Sequence, residues 1–167
     1  MQNMKNLETI VLFSYQGIRF PNCICDFKRL EQLFLSDCDW LEELPLLERL
    51  LNLRVLILEE LHAVRELGIR GSIGGFMILE RLEMWNMPVL ESISSSSSSS
   101  NVVWMEGTMT KLQLLHIQYC SALKRLPIGI EKLSNLKDIE IDTSVWERSI
   151  QADHNIKICL EEKLKLL

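Results

Sequence analysis

Apolar residues recur along this chain at offsets of three, two, three and three, and that spacing constrains the fold more than any other feature. The first segment holds Leu7, Ile10, Leu12, Tyr15 and Ile18, and the second holds Leu30, Leu33, Leu35, Cys38, Leu41 and Leu44. The third runs Leu53, Leu56, Leu58, Leu61, Val64 and Leu67, and the fourth runs Leu79, Leu82, Met84, Met87, Leu90 and Ile93. The fifth is Leu112, Leu115, Ile117, Cys120, Leu123 and Leu126; the sixth, Leu136, Ile139, Ile141 and Ser144, fades at Trp146. Segments therefore begin at residues 7, 30, 53, 79, 112 and 136, in steps of 23, 23, 26, 33 and 24.

Residues two apart in an extended segment face the same side, so Leu33 and Leu35 point inward and Phe34 outward, and each segment predicts one short strand. Apolar residues three apart on either side carry the chain back across the interior. One coil then offers a flat apolar layer that only a neighbouring coil can cover. A period of about 20–29 residues is that of leucine-rich repeats. The expected fold is an α/β solenoid of about six repeats: a curved horseshoe with a parallel sheet on its concave face and an irregular or short-helical convex side. The step of 33 contains Ser94 to Ser100, a run too polar to pack and read as a disordered loop inserted at 94–100. The array is placed at 1–150. Residues 151–167, mixed in charge and amphipathic, are read as a C-terminal capping segment, either strand or short helix. Met1 enters a repeat almost at once, so the first coil lacks a cap and the chain reads as truncated at its N-terminus.

Composition agrees with a single globular domain. The 167 residues include 30 leucines, 47% are hydrophobic and 25% charged, which sits at the globular average. With 18 basic against 23 acidic side chains and a formal charge of −5, nothing favours the phosphate contacts on which nucleic-acid binding rests. The apolar run Ile10 to Phe13 is far too short to span a membrane and lacks the flanks of a signal peptide, so no membrane span and a cytoplasmic location are expected. Five cysteines at irregular spacings argue for free thiols. Cys38 and Cys120 share the position three after the second inward strand residue and are read as structural; Cys23 and Cys25 are read as packed or half-exposed.

A catalytic constellation is not visible. His62, His116 and His154 are scattered, and the chain has no His-x-x-x-His, Cys-x-x-Cys or Gly-x-Ser-x-Gly, so neither metal nor cofactor is expected. Gly68, Gly71, Gly74 and Gly75 lack a following Gly-Lys-Ser/Thr and read as a return loop rather than a phosphate cradle. The carboxylate pairs Glu42-Glu43, Glu59-Glu60 and Glu161-Glu162 read as solvated surface.

What remains is a binding face. The outward residues of successive strands form a central column, Val11, Phe34, Ile57, Glu83, His116 and Glu140, that changes from apolar to acidic along the array. Exposed aromatic and branched side chains in adjacent rows commonly anchor partners. The candidate protein-binding residues are Phe13, Phe34, Ile57, Trp85, His116 and Glu140.

The segment Cys120-Ser-Ala-Leu-Lys-Arg-Leu-Pro-Ile-Gly-Ile-Glu-Lys-Leu-Ser-Asn-Leu resembles the C-x-x-L-x-x-L-P-x-x-I-x-x-L-x-x-L form of plant intracellular nucleotide-binding disease resistance proteins. Cys38 to Leu53 looks like a looser copy. The resemblance, over residues 4 to about 150, implies a non-enzymatic sensor that contacts a pathogen effector or host target and restrains an upstream nucleotide-binding domain. Two other classes stay open: a leucine-rich substrate adaptor of a ubiquitin ligase, which would need an upstream F-box, and a stand-alone scaffold or remnant.

Overall fold

The computed structural model describes residues 6–69, 75–93, 107–160 and 164–166. Each of the six segments forms its strand: β1 (Thr9–Phe13), β2 (Gln32–Ser36), β3 (Val55–Glu59), β4 (Arg81–Trp85), β5 (Leu114–Gln118) and β6 (Asp138–Ile141). They pair in parallel and in sequence order within one sheet. The register joins equivalent repeat positions, with Ile10, Leu33, Leu56, Leu82, Leu115 and Ile139 side by side. From β2 to β6 both inward residues of every strand are fully buried, beginning with Leu33 and Leu35. Burying each such side chain is worth about 1.5–3 kcal/mol relative to exposure. A one-residue slip would turn the whole row outward, which is why the leucine pattern fixes the register.

Two backbone devices repeat with the coils. At the strand entrances, one carbonyl accepts two successive amides of the next coil: Glu8 from Glu31 and Gln32, Glu31 from Arg54 and Val55, and Arg54 from Glu80 and Arg81. At the strand exits, Ser14, Asp37, Glu60, Asn86 and Tyr119 all adopt the left-handed conformation, with φ between 49° and 57°. A non-glycine residue pays about 1–2 kcal/mol there. The conformation turns the chain while letting amides such as those of Ser14, Glu60 and Asn86 donate to the carbonyls of Ser36, Trp85 and Gln118 in the next coil. The convex side carries short 3-10 turns at Asn22–Asp26, Leu47–Arg49 and Ile130–Lys132.

The sixth coil departs from the pattern. Thr143, two residues after the inward Ile141, occupies the position that is left-handed in the earlier coils, and here it opens α1 (Thr143–Ala152). Ser144, expected as a turn residue of the sixth repeat, is therefore exposed on a helix, while Val145 and Trp146 enter the core. Asp142 stands just before the helix, and its carboxylate accepts the Cys120 amide at 2.9 Å. The buried Ser149 hydroxyl donates to the Val145 carbonyl at 2.6 Å and accepts the Leu126 amide at 2.9 Å. Arg148 donates to the carbonyls of Leu123 and Ser121. A second helix, α2 (His154–Leu160), buries Ile156 and Leu160. A seventh strand, β7 (Leu164–Leu166), then extends the sheet in parallel beside β6, placing Lys165 across from Glu140 in backbone register. The expected serine-loop insertion at 94–100 lies outside the described residues. Among the described residues no helix is long and apolar enough to cross a membrane.

Candidate functional site: the concave face

Alternation along each strand puts Thr9, Val11 and Phe13 of β1 and their register partners on the concave face. In the central column Val11 pairs with Phe34, Phe34 with Ile57, Ile57 with Glu83, Glu83 with His116, and His116 with Glu140. The face divides into two chemically distinct halves.

Over β1–β3 the outward side chains of the central column are apolar and their tips make no polar contacts. Val11 is 49% and Phe13 67% exposed, whereas Phe34 and Ile57 are half-buried against their neighbours. Ser36 and Glu59 lie between Phe13 and Trp85 in their row. Of the expected apolar anchors Phe13, Phe34, Ile57 and Trp85, Phe34 and Ile57 thus form a continuous column with Val11, Phe13 flanks it, and Trp85 is separated from Phe13 by two strands.

Over β4–β6 the outward side chains bind one another. Glu83 is only 5% exposed. Its carboxylate accepts the Trp85 indole N–H at 2.8 Å and a hydrogen bond from Arg81 Nε. Such a carboxylate, satisfied by a cation and an N–H donor on its own strand, holds the indole in place. His116 meets Trp85 edge-on with ring centroids 6.1 Å apart. Its Nδ1 lies 3.9 Å from Glu140 Oε2, and its Nε2 lies 3.9 Å from Asp138 Oδ2. Glu140 also accepts from Gln118 Nε2 at 2.7 Å. Trp85, His116 and Glu140, singled out from sequence as separate contact points, thus belong to one network. Glu83, Gln118 and Asp138 complete it and were not among the candidate contact residues. Arg81-x-Glu83-x-Trp85 did carry a local signal, because a cation, a carboxylate and an N–H donor at alternate positions share one face of a strand.

The thiols lie away from this face. Cys38 Sγ donates to the Ser36 carbonyl at 3.3 Å, and Cys120 Sγ donates to the Gln118 carbonyl at 3.5 Å. Burial pushes the Cys120 thiol up to about 12 and raises that of Cys38 as well. Both remain neutral thiols at physiological pH, which removes the nucleophilic form. In the turn Asn22–Asp26, Cys23 is exposed and Cys25 half-buried, and burial raises the Cys25 thiol. His62, the other histidine whose surroundings are described, bonds Asp39 at 2.6 Å off the concave face. There it borders an open depression of about 640 Å³ lined by Glu42, Glu43, Arg65 and Glu66 among others.

The sequence model of the R13L1/DRL21 leucine-rich repeats matches residues 1–61. Over 110 residues, 63% of this chain, the sequence is 37% identical to a putative disease resistance protein of Arabidopsis thaliana. Over 114 residues, 68% of the chain, it is 32% identical to the disease resistance protein RPP8 of the same plant. The chain spans only 11% and 12% of the length of these two relatives. Among solved structures, the leucine-rich repeat domain of the type III effector XopL is similar in fold. It gives a TM-score of 0.67 at 22% identity, over 96% of this chain and 51% of that one. The regular coils, the in-register sheet and these relatives place the chain among the leucine-rich-repeat regions of plant disease resistance proteins.

Proposed function

We propose that the chain is the recognition part of a plant immune receptor, working in the cytoplasm by protein contact and without catalysis. The concave face docks a pathogen effector or a host target, and the array restrains a nucleotide-binding domain of the full-length receptor. Residues 151–167 close the C-terminal end of the array. The observation that carries the reading is the solvent-facing apolar column of β1–β3, flanked by Phe13 at 67% exposure, in a sheet whose inward faces are already satisfied. Exposed apolar rows of this kind anchor partners better than they serve a free monomer.

The test is direct capture. The 167-residue chain is screened against a panel of effector proteins and against the nucleotide-binding module of a disease-resistance relative. A partner bound on this face should weaken by at least about thirtyfold, the effect of an anchor worth about 2 kcal/mol, in both Phe13→Glu and Phe34→Glu. Circular dichroism melts of the two variants should match that of the parent chain. Capture unchanged in both folded variants removes the concave face as the docking site.

A further inference from the structure

We infer that the concave face carries a binding site for a divalent transition-metal ion, formed by His116 of β5 with Asp138 and Glu140 of β6. One donor atom from each of the three lies within 4.8 Å of the others. Asp138 and Glu140 alternate along one strand and so share a face, and His116 stands directly across from Glu140 in register. The three occupy positions 22 and 24 residues apart in sequence, so no local motif announces them.

The spacing around the imidazole favours an ion over the other ways of satisfying it. His116 is 12% exposed at its side chain, and its buried Nε2 has no hydrogen-bond partner. The gap from Nε2 to Asp138 Oδ2 is 3.9 Å. That is too long for an N–H···O bond, which ends near 3.2 Å. It is also too short for an intervening water, because two hydrogen bonds of about 2.8 Å meeting at a tetrahedral angle span about 4.6 Å. Nitrogen and oxygen donors each about 2.1 Å from a tetrahedral ion stand about 3.4 Å apart. The Nε2–Asp138 pair has to close by about half an ångström, and the other pairs of the three-donor set, which lie within 4.8 Å of one another, by at most about 1.4 Å to reach that ion geometry, which side-chain rotation covers.

The donor set fixes the class of ion. Imidazole with two carboxylates suits zinc, manganese, iron or cobalt in the divalent state, and the two negative charges match the charge of the ion. Gln118 Nε2 on Glu140 provides the outer hydrogen bond that orients a ligating carboxylate. Three protein donors leave a coordination position open toward the concave side, where a histidine or carboxylate of a docked protein can complete it. The site stands on its own geometry and does not depend on the docking surface at β1–β3.

Zinc itself is the probe. The folded 167-residue chain, with its solvent-reachable thiols alkylated under native conditions and the buried Cys38 and Cys120 left as neutral thiols, is titrated calorimetrically with Zn²⁺, and a parallel titration with Co²⁺ reads the visible bands of coordinated cobalt. One equivalent should bind. His116→Asn, Asp138→Asn and Glu140→Gln should each weaken it by more than about tenfold, while Glu147→Gln on the exposed face of α1 should leave it unchanged. Asp138→Asn and Glu140→Gln replace partly exposed groups, so they test the site even if His116→Asn melts early. No saturable binding overturns the assignment, as does binding that persists in all three folded variants.

Discussion

The two halves of the concave face share one backbone plan and one inward layer of leucine, isoleucine and Met84, yet their central columns differ in how far the outward side chains bond one another. Over β1–β3 the central-column side chains Val11, Phe34 and Ile57 are apolar and end without polar partners. Over β4–β6 the side chains of Arg81, Glu83, Trp85, His116, Gln118, Asp138 and Glu140 are linked by hydrogen bonds, an edge-on ring contact and close approaches of 3.9 Å. The solenoid separates two tasks. Inward positions decide folding, and outward positions are free to become either a docking surface or a cluster of polar side chains that bond one another.

The comparison breaks most visibly if the inward layer is not in fact common to both halves. Leu58, under the apolar half, and Leu115, under the polar half, are both fully buried. Leu58→Ala and Leu115→Ala should each cost about 2–5 kcal/mol in a denaturant titration. A difference between them larger than that range would mean the halves differ in interior as well as surface. Leu12→Ala makes the contrast sharper, because Leu12 in the first coil is only partly buried and should cost less than either.

A smaller effect separates the outward faces. Glu83→Ala leaves the Trp85 indole and Arg81 without their shared acceptor, and should cost about 1–3 kcal/mol and shift the Trp85 fluorescence. Ile57→Ala, next to Glu83 in the same column, removes only half-buried apolar surface and should cost less. Equal costs would undo the contrast between a hydrogen-bonded polar half and an apolar column without such bonds.

The smallest and most specific check uses the thiols, since Cys38 lies in the second coil and Cys120 in the fifth. An aromatic disulfide reagent at neutral pH should modify the exposed Cys23 first and leave Cys38 and Cys120 unreacted until the chain unfolds. The folded Cys120 thiol titrates at about 12 against an ordinary 9.0. Its proton is therefore held more tightly in the folded chain. The stability linked to it is fully present below pH 9 and is lost as the pH rises toward 12. Alkaline melts should fall across that window, and Cys120→Ala should flatten the fall. A fall of unchanged size in that variant would assign it to other groups.

Much of the molecule was legible in the sequence. All six strands, their inward residues and the row joining Leu33, Leu56, Leu82 and Leu115 follow from spacing alone, because a residue's side is set by parity along a strand and its neighbour by the length of one coil. The polar half was legible only in part. His116 and Glu140 could be placed on the face, but their separation, and the turn of Glu83 under Trp85, depend on rotamers chosen against neighbouring coils. The left-handed exits were not legible at Glu60 and Tyr119, since neither residue type favours that conformation. The switch to helix at Thr143 was missed because Ser144 fitted the repeat count, whereas Val145, Trp146 and Ser149 present a buried helical face.

The sequence by itself determined the solenoid, its register and which side chains face the concave surface, since these depend on periodicities of two and about twenty-three residues that any reader of the chain can count. Only the tertiary structure decided which outward side chains stay free and which close on one another, and how the last coil ends. Beyond the bonds within β4, those outcomes depend on contacts between residues 22 to 31 positions apart in sequence, brought together by stacking and selected by packing rather than by local pattern.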